Sequence, residues 1–97
     1  MPTYVTLLNF TDQGIKTVKD TVQRVEAATA LGKRLGTNLK ETFWTLGPYD
    51  VVAVIEAPDD ETATRFALAV GSQGNVRTLS MRAFGRDEMT RILAGLP

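Results

Sequence analysis

The chain contains no cysteine and no histidine. Those two absences exclude disulfides, zinc and iron–sulfur centres of ordinary ligation, histidine-ligated haem, a thiolate nucleophile and an imidazole general base. Neither a metal site nor a cofactor is expected. Charge of one sign is also lacking: 11 Lys+Arg stand against 11 Asp+Glu in 97 residues, without the basic excess that phosphate neutralisation asks of a nucleic-acid binder. Lys33-Arg34, Arg77 and Arg82 lie among acidic or neutral neighbours and read as a solvated face. The longest apolar runs, such as Val51 to Ile55, fall far short of the ~20 residues that span a bilayer. No nucleic acid and no membrane is therefore expected as a partner. The opening Met1-Pro2-Thr3-Tyr4 enters a strand pattern directly, without the basic segment, apolar stretch and cleavage site of a secretory signal, so a cytoplasmic location is expected.

What is present suits one small globular domain over residues 1–97, 43% of it hydrophobic. Thr3 to Phe10 is rich in β-branched and aromatic residues and predicts a strand, stopped at Thr11-Asp12-Gln13-Gly14, where Thr11 or Asp12 can cap a helix. From Ile15 the residues Val18, Val22, Val25, Ala28, Leu31 and Leu35 recur at spacings of three and four, which predicts one long amphipathic helix closed by Gly32 and Gly36. Asn38 to Leu46 and Tyr49 to Ala57 flank Gly47-Pro48 and predict a hairpin. Pro58-Asp59-Asp60-Glu61 starts a second helix whose stripe is Ala63, Phe66, Ala67 and Val70, and Gly71-Ser72-Gln73-Gly74 ends it as a turn. Asn75 to Phe84 reads as a fourth strand, and Gly85-Arg86-Asp87 leads into a short terminal helix carrying Met89, Ile92 and Leu93. The order is that of a ferredoxin-like βαββαβ α+β fold with a short C-terminal helix: a four-stranded antiparallel sheet with its helices on one face.

Such a sheet alternates apolar and polar residues when its second face meets water. Here Tyr49, Val51, Ala53 and Ile55 point one way, while Val52 and Val54 point the other. Val5 and Leu7 likewise oppose Tyr4, Leu8 and Phe10, and Phe43 opposes Trp44 and Leu46. Both faces are apolar, and helices cover only one. Burial is worth roughly 25 cal/mol per Å², so a second copy packed sheet against sheet is expected, as a homodimer or a larger homo-oligomer. The competing expectation is that the C-terminal tail folds across the bare face.

The chain resembles the GYD-domain proteins. The resemblance rests on Tyr4-Val5-Thr6-Leu7, Thr11-x-x-Gly14, Arg24, Leu46-Gly47-Pro48-Tyr49-Asp50-Val51-Val52, Glu56-Ala57-Pro58-Asp59-Asp60 and Gly71-Ser72-Gln73-Gly74-Asn75-Val76-Arg77-Thr78, in that order over most of the chain. It implies a place in the dimeric α/β-barrel superfamily, with two sheets facing each other. It supplies no catalytic residue.

Six residues are candidates for ligand binding. Tyr49 and Asp50 belong either to turn chemistry and packing or to a ligand site, and Trp44 either to an interface or to a pocket wall. Asn9, Arg24 and Glu56 are polar residues set in apolar elements. Arg24 suits a structural ion pair with Glu56 or Asp50, or a bidentate contact to an anionic ligand. Asp59, Asp60 and Glu61 are explained by a helix start and do not form a regular cation loop. Two functions remain in view: a homo-oligomeric module that binds a small organic ligand or serves in assembly, and a cofactor-independent oxygenase or isomerase, conceivable by resemblance to the wider superfamily. The latter needs Asp50, Glu56 or a tyrosine as its base.

Overall fold

In the computed structural model, which describes residues 1–97, the chain runs β1 (Thr3–Phe10), α1 (Asp12–Lys16), one 3₁₀ turn (Val18–Asp20), α2 (Thr21–Leu35), β2 (Asn38–Trp44), β3 (Val51–Glu56), α3 (Asp60–Gly71), β4 (Val76–Ala83) and α4 (Arg86–Ala94). The strands lie in the order β2-β3-β1-β4, every neighbouring pair antiparallel. This is the ferredoxin-like α+β arrangement that the element order implies.

Local chemistry sets most boundaries. Thr11 caps α1, its hydroxyl accepting from Gly14 N, and Asp59 caps α3, its carboxylate accepting from Thr62 N at 2.8 Å. That bond, the larger of the causes, holds the Asp59 carboxyl below its usual range. Gly36 ends α2 in the left-handed region at φ 89°, and the next amide, Thr37 N, donates back to Gly32 O. Between β2 and β3 the loop is closed by Thr45 N on Asp50 O and by the Thr45 hydroxyl on Tyr49 O. Leu46 and Tyr49 therefore fall outside the strands the sequence assigns them to.

The single helix expected from Ile15 to Leu35 is broken. β-branched residues crowd Thr17, Val18, Thr21 and Val22, where lost side-chain freedom weakens helix propensity, and the backbone leaves helical geometry at Thr17 (φ −110°, ψ 31°). The break changes the phase of the stripe. Ile15, Val18 and Val22 are exposed, and only the part from Val25 onward turns inward.

α2 and α3 cover one face of the sheet. Tyr4, Ile55, Ala57, Ala63 and Phe66 form the core there, with Ala28, Leu35, Leu39 and Val70 packed around it. The other face is open, and the strand register specifies it. Across β2-β3-β1-β4 one row reads Glu41, Val54, Val5, Met81, and the next reads Phe43, Val52, Leu7, Leu79. Glu41 is the one polar residue in that central block. α4 does not fold over it: Met89, Ile92 and Leu93 are all exposed, and the molecule measures 52 × 31 × 17 Å. The tail-across-the-face expectation is thus overturned, and the apolar block lies uncovered within the chain.

Candidate functional site

Between α2, α3 and the covered sheet face lies a cavity of about 100 Å³. Leu8, Val51, Ile55, Val25, Ala28 and Phe66 supply much of its apolar lining, and Arg24, Gln73 and Asn75 are among its polar residues. No aspartate or glutamate lines it.

Arg24 is half-buried on α2. Its Nη1 donates to the Thr17 hydroxyl at 3.1 Å and its Nη2 to the Gly14 carbonyl at 3.2 Å, and the guanidinium carbon stands 5.9 Å from the centre of the Phe10 ring. None of these partners carries a charge. The chain's three ion pairs do not include Arg24, so the structural pair expected for it is not formed. Its proposed acids are engaged elsewhere: Asp50 accepts the Phe10 amide at 2.8 Å, and Glu56 lies 3.7 Å from Lys40 Nζ.

The position of Gly14 O, one of Arg24's acceptors, is fixed by two turns remote in sequence. Thr11 N donates to Asn75 O at 3.0 Å, the Thr11 hydroxyl to Gly74 O at 2.5 Å, and Gln13 Nε2 to both Gln73 O and the Asn75 side chain. The Thr11-x-x-Gly14 and Gly71-to-Asn75 motifs are thus two halves of one junction.

Of the six candidates, Arg24 alone lines the cavity. Trp44 is near it, donating its indole N–H to the Thr21 hydroxyl at 3.0 Å, and Thr21 is itself a lining residue. Tyr49 and Asp50 sit in the β2–β3 loop; Glu56 and Asn9 lie on the open face, Asn9 opposite Arg77. The structure does not bring these four to one place.

A second cluster has no counterpart among the sequence candidates. An open groove of about 410 Å³ runs between α3 and β4. At its end the buried Tyr4 hydroxyl donates to Asp60 Oδ1 at 2.5 Å. Arg82, paired with Glu88 at 2.9 Å, lies 5.8 Å from the Tyr4 ring centre and 4.6 Å from that of Phe84. The hydrogen bond to Asp60, followed by burial, pushes the Tyr4 phenol up to about 12. Sequence reading missed the cluster because Asp60, 56 residues from Tyr4, is already accounted for as a first-turn helix acid.

The native state therefore keeps the Tyr4 proton above the pH, near 10, at which an unfolded tyrosine releases it. The stability this bond contributes is present below pH ~10 and is lost as pH rises toward ~12. Tyr4→Phe, which lacks the bond at every pH, is expected to trail the parent in urea midpoint at pH ~9 and to converge with it by about pH 12. A gap constant across that range would contradict the assignment.

Compared with known proteins, the chain matches the model of one family, the GYD domain, over residues 4–93. It is 36% identical, over 84 residues, to a protein of Thermus thermophilus named glutamine synthetase and cystathionine beta-lyase binding protein, covering 86% of this chain and 88% of that one. A crystal structure of a Thermus thermophilus protein superposes with a TM-score of 0.57 at 25% identity, covering 88% of this chain and 95% of that one. MtbAldR gives a TM-score of 0.68 at 12% identity over 88% of this chain, which spans only 52% of that longer chain. A third solved structure, that of FFRP-DM1, gives 0.61 at 17% identity, covering 87% of this chain and 100% of that one. The last two likenesses carry the fold alone.

Proposed function

The chain belongs to the GYD domain family, and from that membership we propose that it is a homo-oligomeric binding and assembly module, with two copies joined through the open sheet face. The single observation that carries this reading is the uncovered block in which Val5, Leu7, Phe43, Val52, Val54, Leu79 and Met81 stand together on one surface. Contiguous apolar patches of this kind on small proteins mark interaction sites. The Thermus relative is named for binding two enzymes, and an enzyme partner for the assembled module belongs to the same reading. So does the cytoplasmic location expected from the sequence. No helix is long and apolar enough to cross a membrane.

Charge complementarity supports a second copy as the occupant of the face. Glu41 stands on β2 in the row of Val5, and Arg77 stands on β4 in the row of Asn9, diagonally across the block. Neither has an ion-pair partner within the chain. With strands ~4.8 Å apart and side chains on one face ~6.8 Å apart along a strand, a two-fold axis at about 45° to the strands sets Glu41 against the partner's Arg77, twice. The strands of the two sheets then cross at about a right angle, one of the two ordinary classes of sheet packing. A two-fold axis parallel or perpendicular to the strands leaves both charges unpaired.

Charge reversal tests the arrangement. Arg77→Glu and Glu41→Arg are each expected to weaken the dimer about 5- to 10-fold, as rim charges do, and the double variant is expected to recover most of the loss. Sedimentation equilibrium at low salt reads all three. If the two losses simply add in the double variant, the diagonal pairing is wrong.

A further inference from the structure

We propose that the cavity beneath α2 binds a short aliphatic monocarboxylate, with Arg24 holding the carboxylate and the apolar lining holding a body of about four carbons. This inference does not depend on the sheet-to-sheet dimer, which uses the opposite face.

Three observations fix the chemistry. First, Arg24 is a half-buried cation facing no carboxylate. Its two side-chain hydrogen bonds go to a hydroxyl and a carbonyl, and since a guanidinium carries five N–H donors, it has donors left for a planar anion. The same two bonds hold the guanidinium in one orientation at the cavity wall. A carboxylate accepts two parallel N–H bonds from such a fork, and the attraction is strengthened beside an apolar lining.

Second, volume limits the ligand. An apolar cavity of ~150 Å³ takes up benzene, so about 100 Å³ leaves room for a body of about four carbons behind the carboxylate. The room it encloses is well below the roughly 300–1,000 Å³ of pockets for drug-sized ligands, so the part of the ligand held inside is small. Third, the lining excludes an ammonium group. Without an aspartate or glutamate around the cavity, the α-ammonium of an amino acid would be desolvated with no counter-charge, which is costly. The site thus separates a simple carboxylic acid from the amino acid of the same side chain. It also disfavours phosphate, whose second charge would find no second cation in the lining.

Trp44 reports on the site. It is the only tryptophan, and its indole N–H is bonded to Thr21 of the cavity lining. Isovalerate is the probe, with valine, which has the same carbon skeleton, as the zwitterionic analogue and isoamyl alcohol as the uncharged one. Calorimetric titration of the full chain, alongside Trp44 emission, is expected to show saturable one-to-one binding of isovalerate at submillimolar concentration. Valine and isoamyl alcohol are each expected to bind at least ~10-fold more weakly. Arg24→Gln is expected to weaken isovalerate binding about 10- to 100-fold, the range of a lost charge-assisted hydrogen-bond pair, and Arg24→Lys to keep part of it. Ala28→Leu leaves Arg24 in place and fills the cavity, so it is expected to abolish binding in a chain that remains folded. The proposal is overturned if isovalerate does not bind the native chain at millimolar concentration, if valine binds as well as isovalerate, or if a folded Arg24→Gln or Ala28→Leu chain binds it undiminished.

Discussion

Gly14→Ala is expected to destabilise the fold by about 3 kcal/mol, at the upper end of the ~1–3 kcal/mol that overpacking usually costs. Helix propensity alone predicts the opposite, because alanine inside a helix is favoured over glycine by ~1 kcal/mol. Geometry decides between them. A Cβ at position 14 would lie 1.9 Å from Asn75 O and 2.9 Å from its carbonyl carbon. Both are backbone atoms, and Thr11 N and the Thr11 hydroxyl tie that same turn down from the other side. No rotamer change relieves the clash, so α1 and the 73–75 turn must separate. In a chain of this size ~1 kcal/mol corresponds to ~4–8 °C in melting temperature, and a fall of more than about 10 °C is expected in a thermal melt. Gln13→Ala removes exposed hydrogen bonds at the same junction without a clash and is expected to cost no more than about 1 kcal/mol. A Gly14→Ala chain as stable as its parent would mean that the junction does not restrain α1.

Leu79→Lys is expected to abolish self-association while leaving each chain folded. Leu79 is 46% exposed on the edge strand β4, so the isolated chain can carry a lysine there with its ammonium in water. Leu79 stands beside Leu7 in the apolar block, so the proposed sheet-to-sheet dimer would bury the same ammonium there, twice by its two-fold symmetry. Desolvating an unpaired charge costs several kcal/mol, so a total penalty on the order of 5 kcal/mol is expected. That is about four orders of magnitude in dissociation constant. Sedimentation equilibrium reads the loss, with an unchanged far-ultraviolet circular dichroism spectrum as the check on folding. Leu68→Lys adds the same charge on α3, on the far side of the sheet at a site 68% exposed, and is expected to leave the association constant where it was.

The sheet was legible in the sequence because strand side chains alternate with a fixed period, so the apolar character of both faces could be read from Val51 to Ile55 and from Tyr4 to Phe10 before any pairing was known. Helix ends at Thr11, Asp59 and Gly36 were legible for a similar reason: each is local chemistry between residues close in the chain. The broken helix was not. Apolar residues at spacings of three and four satisfy a continuous stripe on paper, and the β-branched cluster around Thr17 that interrupts it leaves the spacing unchanged. Arg24 was legible as a residue of interest, but its partners were not, because whether Glu56 faces α2 or the open side depends on strand register. The Tyr4–Asp60 bond joins residues whose separate roles, strand and helix start, were already satisfied. The direction of α4 was hidden as well: its apolar side chains imply that it covers something, and nothing local says what.

Self-association through the bare sheet face is tested most directly by the mass of the unaltered chain in solution, measured by sedimentation equilibrium or native mass spectrometry at micromolar concentration. A mass of twice the 10.6 kDa chain, or an even multiple of it, is expected, with Leu79→Lys reducing it to the single chain. A single-chain mass for the unaltered protein would mean that the face is not joined to a second copy.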